Sequence, residues 1–248
     1  MTKNIWDRFW ESRLEEEIYP PVSDIAGELR KTLKLNKKRV IEVGAGTGRT
    51  GIELSKETQE VWLLDFSKKS LILAKKYLKK NTNVCLVKGD ALNTPFADET
   101  FDIVYHQGLL EHFKNPYQLI KENKRILKKN GYLLIDVPQK FHIYTLLKHF
   151  LMLFKLWFAG WEREFTKKSL EKILKKYGFS PVKWYASFAH PGIGYRIIRE
   201  VLKKLGIRLP LFPRILKNNP IQRFFDKLRY KNSGLYLGLS IGVIAKKL

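Results

Sequence analysis

The sequence predicts an α/β fold: a doubly wound, seven-stranded sheet with an antiparallel last strand and helical insertions over the ligand edge. Three observations predict it. Short apolar, β-branched runs alternate with helical stretches five times between residues 39 and 137. The first run ends in a glycine-rich turn. The later chain adds two more strand-like runs, the last of them apolar and punctuated by glycine. Strands joined by short helical crossovers lie parallel and need cover on both faces.

The elements follow in order. Arg39-Val40-Ile41-Glu42-Val43 runs into Gly44-Ala45-Gly46-Thr47-Gly48, a buried strand closed by a tight turn. Residues 49–58 read as helix and Val61–Asp65 as the second strand. Ser67 caps a Lys-rich helix that runs to about Lys79. Val84–Val87 is the third strand, closed by Gly89-Asp90, and Phe101–Tyr105 the fourth. A helix from about Pro116 to Leu127 has proline in its first turn and Asn130-Gly131 past its end. Tyr132–Val137 is the fifth strand, Thr166–Tyr177 a helix ending at Gly178, Val182–Ala186 the sixth strand and Leu235–Ala245 the last. Residues 1–38 form an N-terminal helical cap, and residues 39–248 one ligand-binding domain with insertions at about 138–165 and 190–233. Ligands of open α/β sheets bind beyond the carboxyl ends of the parallel strands, so both insertions should roof the cleft.

Composition narrows the class. With 44% hydrophobic and 29% charged residues the chain has a core to bury and is not wholly disordered. One cysteine, Cys85, excludes an internal disulfide framework and a cysteine-rich zinc site, and no metal is expected. The start, Met1-Thr2-Lys3-Asn4-Ile5-Trp6-Asp7-Arg8, lacks the apolar core of a signal peptide. The expected location is the cytoplasm, with a peripheral membrane position left open. Net charge is +23, and residues 141–248 carry 22 Lys+Arg against five Asp+Glu, or +17 of it. Such a field attracts nucleic acid, anionic lipid or an acidic substrate, although Lys-rich surfaces also occur in heat-adapted proteins without an anionic partner.

The ligand constellation sits on successive strand ends. Gly44, Gly46 and Gly48 allow sharp bending and close backbone approach, but their spacing breaks the dinucleotide fingerprint Gly-x-Gly-x-x-Gly. A plain structural turn is the alternative. Asp65 lies 21 residues after Gly44 at the end of the second strand, where a carboxylate can accept from vicinal ribose hydroxyls. The alternative is an Asp that only caps the helix ahead of Ser67. Gly89-Asp90-Ala91 ends the third strand, where a carboxylate can accept from an exocyclic amine and the next amide can face a ring nitrogen; an ordinary turn is again the alternative. Together the three features suit one nucleoside-containing ligand.

This series resembles the class I S-adenosylmethionine-dependent methyltransferases, particularly the broad group (methyltransferase type 11-like) that modifies small molecules and lipids. Val40 to Gly48 looks like that family's first motif and Leu64-Asp65-Phe66-Ser67 like its second. Lys88 to Leu92, with Pro95-Phe96 and Phe101-Asp102, is similar to its third and fourth. Gly108-Leu109-Leu110-Glu111-His112 resembles the segment after its fourth strand, and Leu127 to Tyr132 the approach to its fifth. The resemblance implies a Rossmann-like fold and S-adenosylmethionine as cofactor. It also implies roles: Glu42, Gly44 and Gly46, with Ala45 between them, line the methionine end; Asp65 holds the ribose; Phe66 packs on the adenine; Asp90 and Ala91 read its edge; His106 and Gln107 face the sulfonium and amino end, largely through backbone.

The sulfonium is its own leaving group, so the protein must align the acceptor and exclude water. A general base is needed mainly for a hydroxyl acceptor. His112 is the preferred candidate because it follows the fourth strand at the ligand edge, with capping or packing of the next helix as its alternative. Glu111 and Asp102 read as structural. On the insertions His142, Tyr144, His190 and Tyr195 are substrate-side candidates.

Phe141–Gly160 is strongly apolar, with His142, Thr145, Lys148, His149 and Lys155 recurring on one side of a helix. A charged mid-segment lysine disfavours spanning a bilayer. Packing on the sheet, covering a greasy substrate and lying in a membrane interface remain open for its apolar face. Tyr195–Asn232 mixes Arg and Lys with Ile, Leu and Phe, which suits an anionic membrane surface or, second, RNA phosphates. Trp6, Phe9 and Trp10 share a helical face that either closes the cleft or packs in a core. The expected activity is methyl transfer to a hydrophobic or lipid-like small molecule; an RNA methyltransferase and a non-catalytic, cofactor-binding regulatory module are the other two readings.

Overall fold

The computed structural model describes residue 6 and residues 23–78, 83–154, 161–188, 195, 198, 199, 202, 206–210 and 220–248. Its seven strands are β1 (Arg39–Val43), β2 (Glu60–Asp65), β3 (Val84–Lys88), β4 (Phe101–Gln107), β5 (Leu127–Pro138), β6 (Phe179–Ser187) and β7 (Ser240–Lys247). They form one sheet in the order β3-β2-β1-β4-β5-β7-β6. β1 to β5 are mutually parallel, and β7 runs antiparallel to both β5 and β6. The order reverses between β1 and β4, which opens a crevice at their carboxyl ends.

Successive side chains of the central strands feed opposite faces, and each face has its own core. Ile41 and Val43 of β1, Val104 of β4 and Ile135 of β5 join one cluster; Val40, Ile103, Tyr105 and Leu134 join the other. Helices α1 (Ile25–Thr32), α2 (Arg49–Leu54) and α3 (Lys68–Tyr77) cover the second cluster through Leu29, Leu54 and Ala74. Helices α4 (Pro116–Ile126) and α6 (Lys167–Lys176) cover the first through Leu119, Ile120, Leu170 and Leu174. Between them lies α5 (Ile143–Leu153), and α7 (Pro220–Leu228) and α8 (Asn232–Leu237) precede β7.

The helix starts are local. The Ser67 hydroxyl accepts from the Ser70 amide, and Thr166 and Ser169 form a reciprocal capping box. Several ends differ from expectation. The last strand starts at Ser240 rather than Leu235, because residues 232–237 form α8, and β6 starts at Phe179 rather than Val182. α2 stops at Leu54 rather than residue 58, because Ser55 and Thr58 turn their hydroxyls back onto the Ile52 and Leu54 carbonyls. β5 starts at Leu127 directly after α4: Leu127 pairs with Phe101, residues 128–131 loop out with Asn130 at φ +61°, and regular pairing resumes at Tyr132.

Two polar hubs tie the outer elements down. The buried Glu28 of α1 contacts Lys183 of β6 at 3.0 Å, Arg229 at 3.1 Å and the Tyr230 hydroxyl at 2.9 Å. Burial pushes this carboxyl up, but Lys183 and Tyr230 more than offset that and hold it below its usual range. Arg125 of α4 donates to the Phe96 carbonyl at 2.7 Å, to Asp98 at 2.8 Å and to Glu122 at 2.6 Å, while Glu122 accepts from the amide and hydroxyl of Thr94. That grip fixes the loop after β3.

The insertion helix α5 is turned charge-inward. Lys148 is 1% exposed and its Nζ lies 2.9 Å from Glu162 and 2.8 Å from Glu164. Thr145, on the same side, donates to the Gln139 carbonyl at 2.8 Å. Phe150, Leu153 and Phe154 face outward instead of packing on the sheet. The reason is long-range: two carboxylates from the segment after the helix meet the ammonium beneath it.

Candidate functional site

A cleft of about 300 Å³ opens beyond the carboxyl ends of β1–β4. Its floor starts at the turn after β1. The Gly44 and Ala45 amides donate to the Leu64 carbonyl of β2, at 2.8 and 3.0 Å. Gly44 has φ +70°, and a Cβ there would stand 2.9 Å from a Leu109 methyl, so glycine keeps this wall flat and the backbone accessible.

Asp65 terminates β2 and is nearly buried. Its Oδ2 accepts from the Gly46 amide and its Oδ1 from the Ser67 amide, each at 2.8 Å. The carboxylate thus pins the glycine turn at the cleft floor. The Gly89 amide donates to the Asp65 carbonyl at 3.0 Å, which brings the β3 tip alongside. There Asp90 accepts the Leu92 amide at 2.9 Å and stays exposed at the cleft edge. Gly44, Gly46, Asp65, Phe66, Asp90 and Ala91 all line the cleft.

The opposite wall is the turn after β4. Gly108, Leu109, His112 and Phe113 contribute, with the Trp6 ring against that of His112. The His112 Nδ1 lies 3.9 Å from Glu162 Oε1. Burial pushes this imidazole below its ordinary range; Lys148 adds to that, while Glu162 and a hydrogen bond to the Gly108 backbone act against it. It is therefore neutral at neutral pH. Glu111, beside it, is buried and has its carboxyl pushed well up by burial first and Glu162 second.

The remaining candidates lie elsewhere. Glu42 is not in the cleft lining: its Oε2 accepts from the Tyr105 hydroxyl at 2.9 Å and the Gly51 amide at 3.1 Å, beneath α2. Burial pushes this carboxyl up to about 7. Ala45 is buried just behind the lining. His106 is fully buried, both ring nitrogens lack a hydrogen-bond partner, and burial pushes it down to about 3. Gln107, at the β4 end, stands in register with the buried Asp136 of β5 and is not in the lining. His142 is half-buried at the start of α5, outside the lining. The Tyr195 hydroxyl donates to the Pro210 carbonyl at 2.5 Å, within the second insertion. His190 and the Tyr144 side chain lie outside the described residues, as do Phe9 and Trp10.

The sequence reading did not single out Leu64, Leu92, Leu109 and Phe113 as lining residues. Their signal was weak, since apolar residues beside strand ends are also ordinary core. Among the described residues no group of three metal-ligating side chains converges.

Comparison with known proteins bears on this geometry. A family profile described as a methyltransferase domain matches residues 41–135. The demethylmenaquinone methyltransferase of Staphylococcus haemolyticus is 30% identical over 166 residues, 58% of this chain and 70% of that protein. The chain belongs to the class I S-adenosylmethionine-dependent methyltransferases. The uncharacterized methyltransferase YcgJ of Bacillus subtilis is 30% identical over 126 residues, 49% of each chain. The chain spans about half the length of the first curated relatives it matches. A solved S-adenosylmethionine-dependent methyltransferase of Thermotoga maritima superposes with a TM-score of 0.61 at 21% identity, over 90% of this chain and 87% of that one. The two share the fold.

The methyltransferase cleft fits the family's cofactor on its own residues. The side-chain-free turn at Gly44 offers backbone where a Cβ would fill the cradle. Two carboxylates, Asp65 and Asp90, line the cleft and are able to accept from hydroxyl and amine donors. Phe66 and Leu92 supply apolar surface for a ring.

Proposed function

We propose that this chain transfers the methyl group of S-adenosylmethionine to a hydrophobic, lipid-like small molecule. The observation that carries the reading is one cleft with two chemistries. Asp65, Asp90 and the glycine turn make a polar floor, while Leu109, Phe113 and Trp6 make an apolar wall. The names of relatives point the same way: a demethylmenaquinone methyltransferase, and a 2-methyl-6-phytyl-1,4-hydroquinone methyltransferase of rice that is 33% identical over 163 residues.

Asp65 would hold the ribose, Asp90 and the Ala91 amide the adenine edge, and the Gly44–Gly46 backbone the amino-acid end. The cofactor supplies an activated methyl group on a sulfonium. The protein supplies alignment, a dry wall and a proton acceptor. Neutral His112, at the wall, takes the acceptor's proton as its oxygen or ring carbon becomes nucleophilic. Glu162 behind the ring then faces the imidazolium. Trp6 and Phe113 exclude water from the reacting atoms.

The test is transfer of labelled methyl into a total cell extract, fractionated into lipid, RNA and polar metabolites. Label in the lipid fraction is expected. Label confined to RNA or polar metabolites overturns the acceptor class. No label, despite cofactor heat in calorimetry, overturns catalysis.

A further inference from the structure

The outward face of α5 is chemically unlike the rest of the surface. Phe150, Leu153 and Phe154 stand one turn apart and are 59%, 77% and 57% exposed. The Phe150 and Phe154 rings touch, 4.9 Å between centroids. At the start of the helix Phe141 is also exposed, its ring 6.0 Å from that of Tyr236 on α8, and Leu237 beside it is exposed too. Isolated apolar residues on a surface are ordinary, but three exposed together on one helical segment mark an interaction site.

Three further facts say what covers it. First, the orientation of α5 is held at a cost. An amphipathic helix normally buries its apolar side. Here the ammonium of Lys148 is buried, with Glu162 and Glu164 drawn in to match it, while Phe150 and Leu153 are exposed. Second, this arrangement removes negative charge from the neighbourhood. Residues 141–248 hold 22 basic and five acidic side chains, and two of the five are those inward-turned glutamates. Lys140, adjoining Phe141, is exposed, and the Arg163 guanidinium lies 5.9 Å from the exposed Trp161 ring. Third, among the described residues no helix is long and apolar enough to cross a membrane.

We propose that this face, built by Phe150, Leu153 and Phe154 of the α5 segment, lies in the interface of an anionic lipid bilayer. Apolar side chains enter the headgroup boundary, and the surrounding Lys and Arg meet the lipid phosphates. A second copy of the chain is the poorer occupant, since two surfaces of like charge repel. RNA is poorer too, because the most exposed member, Leu153, cannot stack on bases. α5 follows β5, the neighbour of β4, and the turn after β4 lines the cleft, so a bilayer-dissolved acceptor would reach the cleft from this side. Only that last step rests on the methyl-transfer reading.

The test is flotation of the full chain with vesicles of phosphatidylcholine plus phosphatidylglycerol, and with phosphatidylcholine alone, at low and high salt. The comparison variant carries Phe150→Ser, Leu153→Ser and Phe154→Ser, all at exposed positions. Expected is binding to the anionic vesicles that weakens with salt and drops at least about tenfold in the variant. Circular dichroism and the heat of cofactor binding stay unchanged. The proposal is overturned by a wild type that ignores anionic vesicles at low salt, or by a variant that floats like the wild type. It is equally overturned if sedimentation shows a wild-type dimer that the variant disperses, or if RNA binding rather than flotation is lost. Because flotation and labelled-methyl transfer are separate readouts, failure of one leaves the other standing.

Discussion

The indole of Trp6 stands edge-on to the imidazole of His112, with centroids 4.9 Å apart and planes at 75°. Its contact with His112 helps keep that ring out of water, and burial is the main reason the imidazole titrates low; Lys148 assists, and Glu162 opposes. Trp6→Ala should let His112 return toward its ordinary value, so the acid limb of the pH–rate profile moves to higher pH. A profile that keeps its acid limb while turnover falls would assign Trp6 to acceptor binding alone.

His112 itself is separable from cofactor binding. His112→Gln should lower turnover about 10²-fold or more, the range of general-base removal, with cofactor affinity unchanged by calorimetry. Full activity in this variant would leave the acceptor without need of a base.

Asp65 makes two backbone ties, to Gly46 and Ser67, besides any it makes to a ligand. Asp65→Ala should weaken cofactor binding by about 2–3 kcal/mol, the scale of charge-assisted hydrogen bonds. Asp65→Asn keeps one acceptor and should fall between. Equal heats for all three proteins would sink the adenosyl assignment.

Glu42 predicts a pH dependence of stability. Its carboxyl titrates near 4.5 ordinarily and at about 7 in the fold. The folded state therefore holds the proton more tightly. Its contribution is fully present below the ordinary value and is lost as pH rises through 7, a change of about 3 kcal/mol. Glu42→Gln cannot ionise. Its stability relative to wild type should be flat in acid and climb between those two values in chemical-denaturation curves. A difference that does not vary with pH would contradict the burial of this group.

Arg125 lies outside the cleft yet grips the Phe96 carbonyl, Asp98 and, through Glu122, Thr94. Arg125→Met should cost several-fold in cofactor affinity, about 1 kcal/mol, by loosening the loop that carries Asp90. Unchanged affinity alongside a lowered melting temperature would confine Arg125 to stability.

These residues show why some features were legible in the sequence and others not. β1 to β4 and the caps at Ser67 and Thr166 rest on neighbouring side chains, so short windows of sequence announce them. Asp65 and Asp90 were visible because each ends a strand, and the topology lines such ends up. The direction of α5 was not legible, because it is decided by Glu162, fourteen residues beyond Lys148. The side chain of Glu42 was placed at the ligand from motif position, whereas Tyr105 and Gly51 hold it under α2. Nor does the spacing of Arg125 hint that it reaches back 29 residues to Phe96.

Glu28 clasps Lys183, Arg229 and Tyr230 from a helix near the front of the chain. Front and rear therefore close like a belt buckle. Trimming either would weaken the other: cutting away the helix of Glu28 takes the carboxylate from two cations, Lys183 and Arg229, and deleting the tail takes Arg229 and Tyr230 from the buried carboxylate. Shortened versions of this protein should keep both halves of the clasp or replace all of its members together.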